Sequence, residues 1–277
     1  MVVPKAWVER SGIRERNNVD MYEDDSGNIV ISSKGTAPKE SELLVGAGLN
    51  PEVLGRWVVM YYRQGTKRLR VYSREGSASK QFENAERIAM QRCPGFEVIS
   101  RSNKEMVFED FTDIRELSAD KLLLRLRSLV SEELEEIGKV SPSEIGKLEE
   151  LVDRFFSLGI RYINIVRGRG TTNYFKMFQL LESTADMIYI LAKRGTMNKN
   201  TRVPETLKKE LETCFKGLSG DYRAIELSVE MKNSIIKAAR KDGLPDFEAY
   251  LIEEIVKNMV KIAELGLEVP QQELTVT

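Results

Sequence analysis

Phe178-Gln179-Leu180-Leu181-Glu182-Ser183-Thr184-Ala185-Asp186-Met187-Ile188 decides the fold class, because its apolar residues return every three or four positions. With Phe175 before it and Leu191 after it, the stripe Phe178, Leu181, Ala185 and Ile188 marks one face of an amphipathic helix. The same period spaces Leu148, Leu151, Val152, Phe155 and Phe156 upstream, and Leu122, Leu123, Leu126, Leu129 and Val130 before those. Gly138 and the run Ser141-Pro142-Ser143-Glu144 lie between these two stretches, where they break one helix and cap the next. Downstream, Pro204 opens a shorter helix that Leu218-Ser219-Gly220 closes. Ile225, Val229, Ile235 and Ile236 mark a fifth helix. Gly243-Leu244-Pro245 leads into a sixth, with Phe247, Leu251, Ile255, Met259 and Ile262. Residues 117–277 are therefore expected to form a helical bundle of two three-helix repeats.

Toward the N-terminus the period changes. Pro51 suits the first position of a helix whose apolar face is Val53, Leu54, Trp57, Val58 and Tyr61. Arg68 to Tyr72 alternates as a strand, and Ser79 to Arg92 reads as a helix closed by Pro94-Gly95. Phe96 to Ser100 and Glu105 to Phe108 read as two more strands, joined by the polar turn Arg101-Ser102-Asn103-Lys104. Residues 51–116 are thus expected to be a small α+β domain. Residues 34–50, rich in Lys, Gly, Pro, Ser and Glu, are expected to be a linker. Residues 1–33 predict a short helix, Ala6 to Arg10, and two strands around the turn Asp24-Asp25-Ser26-Gly27. The chain as a whole is expected to be mainly α.

Composition limits what this fold can do. The 277 residues include 42 basic and 43 acidic side chains, so any nucleic-acid contact must come from a local patch. Two isolated cysteines, Cys93 and Cys214, fit a reduced cytoplasm. No apolar run approaches the ~18 residues that span a bilayer, so no membrane insertion is expected. The start of the chain does not read as a signal peptide. There is no histidine. That removes Ser-His-Asp and Cys-His catalysis and any histidine-bearing zinc site, so the chain is expected not to be an enzyme. A metal site would have to be built from carboxylates and would prefer a hard or borderline cation.

Carboxylates of the right spacing exist. Glu149 and Asp153 are four residues apart on the second helix of the bundle, and Glu182 and Asp186 are four apart on the third. Residues at i and i+4 share a face, where two like charges repel unless a cation lies between them. Glu182 also falls on the stripe of Phe178, Ala185 and Ile188. The plainer reading is that glutamate is a good helix former and such pairs arise by chance. Two further patterns stay open. Arg56, Arg63, Lys67, Arg68, Arg70 and Arg74 interleave with Trp57, Tyr61, Tyr62 and Tyr72, as a single-stranded nucleic-acid surface or simply a core with basic neighbours. Arg167, Arg169 and Lys176 flank a turn where an anion could sit.

Leu180-Leu181-Glu182-Ser183-Thr184-Ala185-Asp186, preceded by Glu149-Glu150-Leu151-Val152-Asp153-Arg154, resembles the acidic motifs of PhoU domains, regulators in phosphate signalling. The resemblance covers roughly residues 117–266. Pro4-Lys5-Ala6-Trp7-Val8, Gly12-Ile13, Val19-Asp20-Met21-Tyr22 and Gly27-Asn28-Ile29-Val30-Ile31 resemble the AbrB-type swapped-hairpin DNA-binding domain. The order of the two along one chain is similar to that of archaeal phosphate uptake regulators. The resemblance implies a metal ion (iron, zinc or magnesium) at Glu182, Asp186, Glu149 and Asp153. It also implies DNA contacts from Lys5, Arg10, Arg14 and Arg16, a homodimer, and a cytoplasmic regulator of phosphate uptake acting in transcription. The alternative is an adaptor that docks on a transporter ATPase or another phosphate-transport or signalling protein without touching DNA.

Three departures shape these expectations. Met187 follows Asp186 where the family carries histidine. Lys257 stands where the second repeat, Glu253-Glu254-Ile255-Val256-Lys257, should carry its second acid, although Glu226 and Glu230 keep the spacing one helix earlier. Only Met1, Val2 and Val3 precede Pro4, too little for the first strand of a swapped hairpin. One metal site, in the first repeat, is therefore the expectation.

Overall fold

A computed structural model describes residues 4–10, 19–23, 27–32, 39–46, 48–74, 76–166, 168, 170–195, 197, 202–241 and 243–265. The chain is mainly α. It divides into two compact units, Met1–Met90 with Gly95–Arg115 and Arg161–Thr172, and Gln91–Pro94 with Glu116–Ile160 and Asn173–Thr277.

The first unit begins with helix α1 (Lys5–Arg10) and the antiparallel pair β1 (Asp20–Glu23) and β2 (Ile29–Ser32), in register Met21 opposite Ile31. None of the described side chains of this segment is buried, and Trp7, Met21 and Ile29 are largely exposed. A two-stranded ribbon that buries nothing has no core of its own.

The rest of the unit is a four-stranded mixed sheet with two helices. Its elements are β3 (Lys39–Leu44), α2 (Pro51–Arg63), β4 (Thr66–Tyr72), α3 (Ser79–Arg92), β5 (Phe96–Arg101) and β6 (Glu105–Asp110), with spatial order β3-β4-β6-β5. Residues 39–44, expected to be linker, are thus an edge strand that pairs in parallel with β4. Their charged composition hid the strand, because parallel pairing leaves no local hairpin signal. Local signals elsewhere were sound. Asn50 accepts a hydrogen bond from the Glu52 amide at 2.9 Å and so caps α2 ahead of Pro51. Gly65, at φ +86°, makes the turn from α2 into β4.

The core of this unit is Leu54, Val58 and Tyr62 of α2, Leu69 and Val71 of β4, Phe82 and Ala85 of α3, Phe96 of β5, and Met106 and Phe108 of β6, all essentially inaccessible. The Phe96 and Phe108 rings stack at 5.4 Å. The other face of the sheet is a charge ladder. Arg70 pairs with Glu42 at 3.2 Å and Glu105 at 2.7 Å, and Arg68 with Glu109 at 3.8 Å.

The bundle unit holds α4 (Ala119–Glu136), α5 (Pro142–Ile165), α6 (Thr171–Arg194), α7 (Val203–Leu218), α8 (Tyr222–Lys241) and α9 (Asp246–Leu265), except that the last turn of α5 and the first residues of α6 count with the sheet. Ser141 and Glu144 form a capping box at the start of α5, with the Ser141 amide donating to Glu144 at 2.9 Å. Glycines set the closest approaches between helices. A Cβ on Gly159 of α5 would lie 2.6 Å from the Phe178 ring of α6, and one on Gly217 of α7 would lie 2.9 Å from Ile225 of α8. Most expected stripe residues are buried, but Phe175, Val229 and Phe247 are 38%, 45% and 47% exposed, so they lie at the margin of the stripes.

Within the sheet unit an arginine is buried together with its carboxylate partner. Arg161, near the end of α5, donates to the carbonyls of Tyr62 at 2.5 Å and Thr66 at 3.0 Å and to Asp110 at 2.8 Å, and stacks over the Tyr62 ring at 4.7 Å. Both members of the ion pair are about as inaccessible as the aromatic core. Removing one partner of a buried pair leaves the other charge without compensation. Arg161→Ala is expected to cost about 3–5 kcal/mol of folding stability, read as a shift of the urea midpoint. A midpoint within experimental scatter of wild type would show that the pair does not hold the unit.

Candidate functional site

The site is built on the apolar stripes of α4, α5 and α6. On α4, Leu122, Leu126 and Leu129 are buried at helical spacing, and one turn after Leu129 the stripe continues into Glu133. Glu133 is wholly inaccessible, and neither of its carboxylate oxygens has a hydrogen-bond partner. Burial, then the charges of Glu149, Asp186 and Glu132, push its carboxyl up to about 9. It is therefore protonated near neutral pH, the usual resolution for a carboxylate that a protein cannot solvate.

Glu149 on α5 is half-buried and faces the same region. Burial and the neighbouring charges of Asp153 and Asp186 push it up to about 7, while Arg92 pulls it down. The hydrogen bond between Glu149 and Asp186 raises the Glu149 carboxyl and lowers that of Asp186. Asp186, toward solvent on α6, is raised by partial burial, against the pull of that bond and of Arg92. Asp153 is buried at 4% exposure, and Nη2 of Arg92 lies 2.6 Å from its Oδ2. Arg92 ends α3 and belongs to the bundle unit with Gln91–Pro94.

The structure thus gathers three of the four expected acids, Glu149, Asp153 and Asp186. Glu182 is half-buried one turn earlier on α6, and its charge is not among those that move Glu133, Glu149 or Asp186. Two members escaped the sequence reading. Glu133 had a signal, an acid one turn beyond Leu129 on an apolar stripe. Arg92 had none, because its partner lies on another helix far along the chain. Among the described residues, no group of three or more acids or cysteines is drawn together closely enough to hold a metal ion as it stands. The chemistry of the donors nonetheless suits a hard cation, and the two unpartnered oxygens of Glu133 are the feature a cation would satisfy.

The last three helices are built differently. Lys257 of α9 is held by Glu253 at 2.9 Å and Glu254 at 2.8 Å. Glu226 and Glu230 of α8 are exposed, and Ser228 between them is the residue turned inward. Ser228 donates to the buried Glu210 of α7, and the Cys214 thiol is 3.5 Å from the same oxygen. Burial raises the Glu210 carboxyl against these bonds.

Of the expected DNA contacts, Lys5 lies 3.9 Å from Glu9 and Arg10 donates to the Ala6 carbonyl at 3.3 Å. Arg14 and Arg16 lie outside the described residues, as do Arg167 and Arg169 of the anion turn. The basic and aromatic run of the sheet unit is largely spent on structure. Tyr62 is core, Lys67 lies 3.5 Å from Asp110, and Arg68 and Arg70 stand in the charge ladder.

No helix among the described residues is long and apolar enough to cross a membrane. Compared with known proteins, the chain matches no family model, no curated protein and no solved structure.

Glu133 makes stability depend on pH with a definite sign. Its folded value, about 9, lies above the ordinary 4.5. Between those values the folded chain keeps a proton that the unfolded chain has released, so stability falls as pH rises, by up to ~1.4 kcal/mol per pH unit. Glu149, raised to about 7, acts in the same direction over the lower part of that range. Urea midpoints of metal-free protein are expected to drop from pH 5 to pH 9, and Glu133→Gln to be flatter and more stable than wild type at pH 8. Parallel pH profiles for the two proteins would show that Glu133 ionises as freely in the fold as in water.

Proposed function

We propose that the chain is a PhoU-like regulator of phosphate uptake, in which two three-helix repeats form a metal-dependent sensing or docking module and the AbrB-like N-terminal segment contacts DNA. The observation that carries this reading is the orphaned carboxyl of Glu133, facing Glu149 and Asp186 from a third helix of the first repeat. The residues that would hold the ion are Glu133, Glu149 and Asp186, with Asp153 beside them and Glu182 one turn away. Bound there, a divalent or ferric ion would supply the positive charge that the carboxyl protons now stand in for. These residues in turn fix which ions can enter, because an all-oxygen set favours hard or borderline cations. The second repeat takes no ion in this reading, since Lys257 already neutralises Glu253 and Glu254.

A second reading has its own support. Lys5 and Arg10 make contacts within their own short helix, and the apolar residues Trp7, Met21 and Ile29 are exposed. That suits an adaptor whose N-terminal segment meets a protein, either a second copy or a signalling partner, as readily as one that meets phosphates.

Two measurements test these readings. Ion binding must displace protons from Glu133 and Glu149, so affinity for Mn²⁺ or Fe²⁺ is expected to rise between pH 6 and pH 8. The ion should also raise the melting temperature of wild type but not of Glu149→Gln/Asp186→Asn. A melting temperature indifferent to both ions would remove the metal from the proposal. Fluorescence anisotropy with the promoter DNA of the gene, at ~50 mM salt where phosphate contacts are strong, separates regulator from adaptor. Binding that weakens steeply with salt supports the regulator, and no binding leaves the adaptor.

A further inference from the structure

We propose that Arg92 is a built-in counter-cation of the acidic site, which an incoming metal ion has to displace from Asp153. The inference rests on the metal reading above and adds its regulation. Its basis is the ion pair between a buried acid and a half-exposed base. Asp153 keeps 6% of its side-chain surface and Arg92 keeps 47%, at 2.6 Å from each other. A contact of that length between a guanidinium and a carboxylate is among the stronger polar interactions a protein makes. The asymmetry of exposure decides which partner can leave. The Asp153 carboxylate is nearly sealed from water, whereas the guanidinium can swing outward on its aliphatic stem and be solvated at once.

Arg92, at the end of α3, contacts Asp153, and Glu149, one turn away on α5, feels the charge of both. Asp186 of α6 and Glu133 of α4 act in turn on Glu149 or feel its charge. Arg92 is the cation of this group. It acts on Glu149 and Asp186 as well as on Asp153, pulling both toward ionisation. A metal ion within reach of the same carboxylates would stand beside the guanidinium as a like charge in a poorly solvated place. The two are therefore exclusive, and the ion concentration needed to fill the site is raised by the strength of the Arg92–Asp153 pair.

Lys257 offers a useful contrast. It is bound to Glu253 and Glu254 of its own helix, four and three residues away, so it stays beside two acids in whichever of the two pairs it makes. Arg92 reaches Asp153 from a different helix, and the pair can part with both helices intact. One bundle thus holds a cation paired within its own helix, Lys257, and cations paired across helices, Arg92 and Arg194.

The probe is Mn²⁺, whose bound and free forms are counted by electron paramagnetic resonance on the full chain. Arg92→Gln is expected to bind it roughly ten-fold more tightly than wild type, the scale of one unit charge a few Å away at moderate screening. Arg92→Lys, which keeps the charge, should remain close to wild type. Equal or weaker binding by Arg92→Gln, with wild type still binding, overturns the competition and leaves the metal reading standing. Absence of bound Mn²⁺ in every variant overturns both. A second readout uses wild type alone, in case Arg92→Gln does not fold. Labelling of Arg92 by a dicarbonyl reagent, followed by mass spectrometry, should speed up when Mn²⁺ binds. Unchanged labelling in protein that carries Mn²⁺ overturns the proposal.

Discussion

The guanidinium of Arg161, sealed among Tyr62, Thr66 and Asp110, is the contact on which the sheet unit turns. A charge taken out of water must be answered where it lies. Here the answer is one carboxylate, two main-chain carbonyls and an aromatic face, with Nε left without a hydrogen-bond partner. Those partners come from the end of α2, the start of β4 and the end of β6, so satisfying one side chain brings three elements into register. The bundle meets the same constraint with less. Glu133 has no cation of its own and keeps a proton instead, and Asp153 borrows the charge of Arg92. Glu210 keeps a hydroxyl and a thiol as neighbours. Glu133, Asp153 and Glu210 are thus answered in different ways, while Glu248 takes its charge from Arg194 as Asp153 does from Arg92.

That difference separates the two groups of three helices more sharply than their lengths or stripes do. In α4 to α6 the acids converge from three helices and repel one another through a poorly solvated space. In α7 to α9 Glu226 and Glu230 face water, Glu253 and Glu254 are clamped by Lys257, Glu248 pairs with Arg194, and Glu210 is buried against Ser228 and Cys214. A single substitution at position 257 could not convert the second group into the first, because α8 presents Ser228, and not an acid, to the interior.

What the sequence disclosed follows from how local each signal was. The stripes of α4 to α9, the capping box of Ser141 and Glu144, and the strands β4 to β6 with the turn between β5 and β6 all depend on residues within a few positions of one another. They were legible. The i, i+4 acids were legible as pairs, and three of the four come together. What stayed hidden depended on partners distant in the chain: the parallel pairing of β3, the grip of Arg92 on Asp153, and the burial of Arg161. Glu133 is intermediate. Its place on the α4 stripe was visible, but a glutamate at the end of a leucine stripe is indistinguishable from an ordinary surface acid until α5 and α6 close over it.

The charges that disguise β3 as a linker also have work to do in the folded sheet. β3 is an edge, and an edge strand offers unpaired amides and carbonyls to any extended chain that drifts past. Glu40 and Glu42 are exposed along it. A second chain could add itself only by bringing its own strand alongside these carboxylates, and another copy of β3 would bring the same negative charges. The exposed Glu40 and Glu42 therefore make this edge a poor template for a further strand.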